Sequence, residues 1–199
     1  MQLIVLTGFL GSGKTTALLS FARELSGSGA KVAIIVNEIG DIGIDNLLLK
    51  QLGANMWELL GGCICCTLVA DLGTTLSKIS ADYAPDYVFL EPSGASNPGR
   101  IPDALVYSKD LPLSGISWLA IVDPLRLEEL VTVLEPLMES HLRVADIAII
   151  TKKDEATPEQ IEAARKWIAG LRPELPCVAV DMKSETGRPS LRELIPCLN

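Results

Sequence analysis

Short apolar runs recur along the chain, and most are bounded by glycine, proline or acidic residues. Runs of this length, rich in valine, isoleucine and leucine, are typical of strands that are buried on both faces of a parallel sheet. The runs that predict strands occupy residues 1–7, 31–36, 55–59, 86–91, 117–122, 146–150 and 177–180.

Stretches with apolar residues at helical spacing alternate with these runs. The pair Asp123-Pro124 is typical of an N-cap followed by the first helical position, and the residues at 157–160 match a capping box. Helices are predicted at residues 16–25, from 68 through 79, from Asp123-Pro124, around His141, and at 158–169 and 190–195. The alternation predicts an α/β fold, a doubly wound and mainly parallel sheet with helices on both faces.

Length and composition refine this prediction. A chain of 199 residues with 48% hydrophobic content suits one domain over residues 1–199, because it is short for two cores. The formal net charge of −8 argues against nucleic acid as a partner, since phosphate backbones require basic surfaces. The apolar runs are strand-sized and no signal-peptide pattern begins the chain, so we expect no membrane partner and a cytoplasmic location.

Residues 8–15 fit the pattern G-x-x-x-x-G-K-[ST] at every required position, between a predicted strand and a predicted helix. Glycines at 8, 11 and 13 allow the backbone N–H groups to surround phosphate at the positive end of a helix. Lys14 is then placed to reach the terminal phosphates, and the Thr15 hydroxyl is placed to bind Mg²⁺. The segment predicts a P-loop for a nucleoside triphosphate.

An acidic segment, residues 37–45, follows the second predicted strand and contains Glu38 and Asp41. In open α/β sheets, ligands bind at the carboxyl ends of the strands. This position favours a switch loop beside the phosphates, although the residues alone fit a solvated connection equally well.

Three cysteines, Cys63, Cys65 and Cys66, follow two glycines. Adjacent cysteines are too close for an unstrained disulfide, and an odd total of five argues against a disulfide framework. Three thiolates suit Zn²⁺, Co²⁺ or Ni²⁺ with one exchangeable position. Buried packing of the thiols and a vicinal-dithiol redox site remain alternatives.

The end of the fourth predicted strand also carries candidate site residues. Glu91 ends the fourth predicted strand, where an acid can hold the Mg²⁺ hydration shell, and Gly94 is placed to offer its N–H to a γ-phosphate; Glu91 also fits a plain surface acid. His141 is predicted to be a partly exposed packing residue and not a ligand.

The segment Thr151-Lys152-Lys153-Asp154 follows the sixth predicted strand. A carboxylate at Asp154 can accept hydrogen bonds from the N1–H and 2-amino groups of guanine, whereas adenine offers no 2-amino donor. The aliphatic stem of Lys152 can lie along the base. By themselves these four residues also fit a charged turn.

Together the motifs at 8–16, 37–45, 61–68, 91–94 and 151–154 resemble the CobW family of metal-handling P-loop GTPases, relatives of the HypB and UreG proteins. The resemblance covers nearly the whole chain. It implies a SIMIBI-class G domain that hydrolyses GTP to GDP, holds a metal at its cysteines, serves a client metalloprotein or a corrinoid-related protein, and often forms nucleotide-dependent homodimers.

Carried over to this chain, the resemblance implies five groups of site residues. Residues 8–16 bind phosphate, including Gly8, Gly11, Ser12, Gly13, Lys14, Thr15 and Thr16, and Gly94 contacts the γ-phosphate. Thr15 and Glu91 bind Mg²⁺. Thr151, Lys152 and Asp154 bind guanine. Cys63, Cys65 and Cys66 bind Zn²⁺ or Co²⁺, with Glu38 as a possible oxygen ligand. Lys14, Asp41 and Glu91 carry the hydrolysis, with Asp41 positioning the water.

Three features depart from the family pattern. Thr151 replaces the usual asparagine of the Asn-Lys-x-Asp motif, and Pro92 replaces a threonine that is typical beside Glu91. The C-terminal CobW domain, often with a histidine-rich tract, does not follow within these 199 residues, so no mode of client recognition is implied. Two other hypotheses stay open: an ATP-dependent kinase or ATPase, and a metal buffer or redox sensor with a structural nucleotide.

Overall fold

A computed structural model describes residues 1–36, 55–58, 68–106, 111–184 and 188–195. Within these residues, seven strands form one sheet in the order β3-β2-β4-β1-β5-β6-β7, and every neighbouring pair is parallel. The strands are β1 (Gln2–Thr7), β2 (Val32–Val36), β3 (Asn55–Glu58), β4 (Tyr87–Glu91), β5 (Gly115–Val122), β6 (Ile147–Ile150) and β7 (Cys177–Ala179). The predicted doubly wound fold is confirmed, with strand boundaries shifted by one or two residues.

The described helices lie on both faces of the sheet. They are α1 (Lys14–Gly27), α2 (Leu68–Asp82), α3 (Ile101–Val106), α4 (Leu127–Arg143), α5 (Pro158–Leu171) and α6 (Leu191–Leu194). The capping box predicted for α5 is present, because the Thr157 hydroxyl accepts from the Gln160 N–H and the Gln160 side chain accepts from the Thr157 N–H.

All six residues of β1 are buried, because β4 and β5 flank the strand and helices cover both faces. One face packs against α1 through the residues that the helical spacing predicted, which include Leu18, Phe21 and Leu25. The other face packs against α2 through Leu72, Leu76 and Ile79. The core therefore fixes the position of the segment that links β1 to α1.

The helix predicted to start at Asp123-Pro124 instead starts at Leu127. Asp123 does not cap a helix, because its Oδ1 accepts the Leu125 N–H at 3.0 Å in a local turn, and its Oδ2 lies 2.7 Å from the Lys152 Nζ. Contacts across the sheet override the local capping signal here. The prediction also missed α3 and the short 3₁₀ turn Pro98–Arg100 that precedes it.

Helix α4 bends at Leu134, whose backbone dihedral angles are not helical. Pro136 lies two residues later and has no N–H for the helical hydrogen bond to the preceding turn, which accounts for the bend. At the end of the helix, Arg172 Nη1 donates to the carbonyl oxygens of Leu142, Arg143 and Ala145. These contacts join the end of α4 to the end of α5, which Arg172 directly follows.

Candidate functional site

Because the sheet is parallel, the residues that follow β1, β4, β5, β6 and β7 meet at one edge. The P-loop follows β1, and the other strands end at Glu91, Asp123, Thr151 and the segment around Asp181. Ligands of doubly wound sheets bind at this edge. The fold therefore brings the predicted phosphate, magnesium and guanine residues together.

The P-loop adopts a conformation that requires glycine at its first position. Gly8, Gly11 and Gly13 all have positive φ, at 140°, 73° and 93°. A Cβ atom at Gly8 would overlap the carbonyl oxygen of Ile121 on β5, so only glycine fits between the two strands. Ser12 is buried and Thr16 is exposed at the start of α1.

Lys14 is 5% exposed, and its Nζ donates a hydrogen bond to the Phe9 carbonyl oxygen at 3.1 Å. Burial lowers the pKa of this ammonium group, and the nearby Glu91 carboxylate opposes the shift. A buried ammonium group with a main-chain carbonyl as its hydrogen-bond acceptor is suited to receive an anion. This arrangement fits the phosphate role predicted for Lys14.

Thr15 and Glu91 are in direct contact, as the predicted magnesium site requires. The Thr15 hydroxyl lies 3.0 and 3.1 Å from the two carboxylate oxygens of Glu91. Burial raises the pKa of Glu91, while the charge of Lys14 and the hydrogen bond from Thr15 lower it. Hydroxyl and carboxylate oxygens are the donors that Mg²⁺ prefers, so the pair fits this ion.

Gly94 packs directly against the P-loop. A Cβ atom at this position would lie 2.6 Å from the Leu10 nitrogen and 2.8 Å from the Lys14 Nζ. No larger residue fits without moving the loop. Contact between Gly94 and a γ-phosphate remains a prediction, but the turn after β4 lies where it would sense changes at Lys14.

Thr151 is buried and its hydroxyl lies 2.6 Å from the Ser12 carbonyl oxygen and 3.2 Å from the Val122 carbonyl oxygen. A hydroxyl has one hydrogen, so the shorter contact takes it. Thr151 thus fastens the P-loop to the end of β6. Its predicted contact with guanine remains a prediction.

Lys152 and Asp123 form an ion pair at 2.7 Å, with the Asp123 side chain only 1% exposed. Lys152 has a φ of 54°, in the left-handed region that is uncommon for a residue with a side chain. The ion pair holds Lys152 in this conformation beside the end of β5. The sequence analysis assigned Asp123 to a helix cap and missed its place at this site, although an acid at a strand end was the available signal.

Asp154 lines a cleft of about 310 Å³ together with Ala179, Asp181, Ser184 and Arg188. This volume lies in the usual range for small-molecule sites. The Asp154 Oδ2 lies 3.5 Å from the Nζ of the exposed Lys183. The geometry fits a base-binding cleft with Asp154 on its wall.

His141 is only 4% exposed, so the prediction of a partly exposed residue is wrong. The last turn of α4 packs against the start of the P-loop, and the His141 Nδ1 accepts the Gly8 N–H at 3.2 Å. Burial and the charge of Lys14 lower its pKa to about 4, while the Gly94 backbone opposes the shift. Sequence patterns cannot reveal this contact, because the two residues lie 133 positions apart.

Several predicted site residues lie outside the described part of the chain: Glu38, Asp41, Cys63, Cys65 and Cys66. Cys197 lies outside it as well. Cys177 is a free, half-buried thiol, and burial raises its pKa. Among the described residues, no group of three or more metal-ligating side chains comes together. Their helices also include none that is long and apolar enough to cross a membrane.

A family model of the CobW/HypB/UreG nucleotide-binding domain matches residues 2–179, which is most of the chain. The chain belongs to this family. Membership in the CobW/HypB/UreG family confirms the resemblance noted from the motifs, and the matched range begins in β1 and ends at β7.

Relatives of this CobW/HypB/UreG domain include zinc chaperone YeiR of Escherichia coli strain K12, which is 36% identical over 166 residues. That match covers 82% of this chain and 50% of YeiR. Zinc chaperone CobW of a Sinorhizobium species is 29% identical over 194 residues, covering 83% and 54% of the two chains. The chain thus spans about half the length of these curated relatives.

Solved structures of the family have the same fold. Zn(II)-bound YjiA GTPase from E. coli superposes with a TM-score of 0.67 at 26% identity, covering 98% of this chain and 60% of YjiA. HypB from Archaeoglobus fulgidus gives a TM-score of 0.63 at 19% identity, covering 94% of this chain and 84% of the HypB chain. This match shows similarity of fold alone. Both agree with the sheet described above.

Proposed function

We propose that this chain binds and hydrolyses GTP, and that the bound nucleotide controls a divalent-metal site. The observation that carries the proposal is the meeting of three features at one sheet edge: the P-loop, the Thr15–Glu91 pair, and the cleft lined by Asp154. A triphosphate extended from the cleft to Lys14 would use all three. GTPase names among the family's members support the choice of reaction.

The residues of the P-loop bind and orient the triphosphate in this proposal. Main-chain N–H groups of the loop and the Lys14 ammonium group receive the phosphate oxygens, and Thr151 keeps the loop in place through Ser12. Asp154 accepts from the guanine edge, while the Lys152–Asp123 ion pair positions the lysine beside it. Asp41 orients the attacking water.

Magnesium fits the Thr15 hydroxyl and the Glu91 carboxylate because both supply hard oxygen donors beside Lys14. When bound, the ion neutralises phosphate charge that develops during phosphoryl transfer. Glu91 is ionised in this role, although burial raises its pKa. A cation at this position would favour the ionised carboxylate and so oppose the effect of burial.

The cargo metal is held by Cys63, Cys65 and Cys66 with Glu38 as an oxygen ligand. Three thiolates suit Zn²⁺, and the zinc chaperone names of YeiR and CobW favour this ion over Co²⁺ or Ni²⁺. The cysteines lie in sequence between the acidic segment and the segment 91–94 that follows β4, the two segments that sense a γ-phosphate in this proposal. The nucleotide state would thereby alter the affinity of the site for the metal. The ion would then pass to a client metalloprotein, which is either zinc-dependent or corrinoid-related. The working assembly would be a homodimer.

Two measurements test the proposal. Hydrolysis of GTP and ATP should differ strongly in favour of GTP, and equal rates would favour the kinase or ATPase hypothesis. Zn²⁺ titration should give one equivalent whose affinity differs between GDP and a non-hydrolysable GTP analogue. Equal affinities in both states would remove the coupling, because a ligand shifts an equilibrium only through differential binding.

A matched cysteine control makes the metal test specific. Replacing Cys63, Cys65 and Cys66 together by serine should abolish stoichiometric Zn²⁺ binding, whereas Cys177→Ser should leave it unchanged, because Cys177 has no cluster of metal-ligating side chains among the described residues. Retained binding in the triple variant would contradict the assignment of the cysteine site.

A further inference from the structure

The last turn of α4 is joined to the start of the P-loop at two points. The Gly8 N–H donates to the His141 Nδ1 at 3.2 Å, and the Thr7 hydroxyl donates to the His141 carbonyl oxygen at 3.3 Å. Both contacts are buried. One residue therefore fixes, through its side chain and its main chain, the point where β1 turns into the phosphate cradle.

The contact with Gly8 also determines the protonation of the ring. A nitrogen that accepts a hydrogen bond carries no hydrogen, so the neutral imidazole has its proton on Nε2. The His141 Nε2 is fully buried and has no hydrogen-bond partner of normal geometry among the described residues, although the Gly94 backbone is close enough to act on the ring. The fold thus contains a buried N–H donor without an acceptor of normal geometry, which is a costly feature unless another state supplies one.

The surroundings of the ring indicate where that acceptor lies. Burial and the charge of Lys14 lower the pKa of His141, whereas the Gly94 backbone raises it. Gly94 in turn packs against the Leu10 nitrogen and the Lys14 Nζ. A small movement of the Gly94 turn therefore changes both the distance to Lys14 and the environment of the histidine.

We propose that His141 is a positioning residue of the nucleotide site, which holds the P-loop through Gly8 and donates from Nε2 to the Gly94 carbonyl oxygen when a γ-phosphate draws this turn inward. The inference rests on the proposed GTP function and adds a connection from α4 to the P-loop and to the Gly94 turn. Protonation of Nδ1 would break the contact with Gly8 and place a second positive charge near Lys14. The low pKa of His141, about 4, agrees with a neutral ring.

The test compares two variants with one control. His141→Phe removes both nitrogens, whereas His141→Asn retains an acceptor at the position of Nδ1 and lacks the donor at Nε2. Met138→Leu alters a buried residue one turn earlier on the same helix and serves as the control. Affinities for GDP and for a non-hydrolysable GTP analogue are measured for each, together with melting temperature.

His141→Phe should weaken both nucleotides by about tenfold or more, because the Gly8 N–H loses its acceptor. His141→Asn should recover the GDP affinity to within about threefold, yet lower the preference for the GTP analogue over GDP by about fivefold. The control should change neither. If His141→Phe binds nucleotides as the wild type does, or if His141→Asn loses affinity for both nucleotides equally, the proposal is overturned.

A nucleotide-free measurement separates this inference from the proposed function. The ¹⁵N chemical shifts of the His141 ring in the wild-type protein should show a neutral imidazole with its hydrogen on Nε2. A hydrogen on Nδ1 would contradict the proposal even in a protein that hydrolyses GTP. Failure of the wild type to bind guanine nucleotides would instead contradict the proposed function. The protonation of the His141 ring would still be tested by its ¹⁵N chemical shifts. Should His141→Phe fail to fold, His141→Asn carries the affinity test.

Discussion

The Thr15 hydroxyl lies within 3.1 Å of both carboxylate oxygens of Glu91, a residue 76 positions away. This contact links the first turn of α1 to the end of β4. It brings two hard oxygen donors to the side of Lys14, where the charge of a triphosphate would be concentrated.

Glu91→Gln should raise the magnesium concentration that GTP hydrolysis requires and lower the rate by about 100-fold, because a neutral amide oxygen binds Mg²⁺ more weakly than a carboxylate. The nucleotide-free protein should be at least as stable as the wild type, since burial already disfavours the carboxylate, as the raised pKa of Glu91 indicates. Rates across a magnesium titration and melting temperatures check both points. Glu162→Gln, an exposed change on α5, is the control, and a magnesium response like that of the wild type in Glu91→Gln would contradict the assignment.

Asp154→Asn should convert the base preference from guanine to xanthine. The carboxylate accepts from the N1–H and 2-amino groups of guanine, whereas an amide can donate to the 2-oxo group of xanthine. We expect GTP affinity to fall by about 100-fold and binding of xanthosine triphosphate to rise. Glu155→Gln changes the neighbouring acid, which pairs with Lys183 and does not line the cleft. Undiminished GTP binding by Asp154→Asn would contradict the guanine assignment.

Gly94→Ala should weaken nucleotide binding by about tenfold, because the added methyl group overlaps the Leu10 nitrogen and displaces the P-loop. Gly170→Ala is a matched control, since a Cβ atom at that position meets nothing within 4 Å. The control should bind nucleotide normally and gain up to about 1 kcal/mol of stability from helix propensity. Equal nucleotide affinity in the two variants would show that Gly94 tolerates a side chain.

The stability of the nucleotide-free protein should fall as the pH drops from about 6.5 to about 4 in a manner that depends on His141. The unfolded chain binds a proton at the ordinary histidine pKa near 6.5, whereas the folded chain binds it only near 4. The unfolded state thus holds more protons across this window, and the free energy of unfolding decreases by roughly 3 kcal/mol.

His141→Asn removes the titrating group, so its stability should change less over the same pH range than that of the wild type. Denaturant unfolding at closely spaced pH values measures the difference, and the carboxylates that also titrate there cancel in the comparison. Parallel curves for the two proteins would contradict the depressed pKa.

Local sequence predicted the sheet because its strands are buried on both faces and therefore read as continuous apolar runs, as in β1. The sequence also predicted the P-loop, since the backbone of this loop requires glycine at fixed positions. Asp123 was misassigned for a physical reason: its capping signal is local, but the ion pair with Lys152 across two strands determines its conformation. The burial of His141 depended on a contact between residues 133 positions apart.

By itself, the sequence determined the strands, most of the helices, the phosphate cradle and the family, because each of these rests on short local patterns. Only the tertiary structure decided which groups meet. It joined Thr15 to Glu91, Thr151 to the Ser12 carbonyl and His141 to Gly8, and it set the pKa values of the buried groups. These features depend on long-range packing and on burial, which bring together side chains whose separation along the chain carries no local signal.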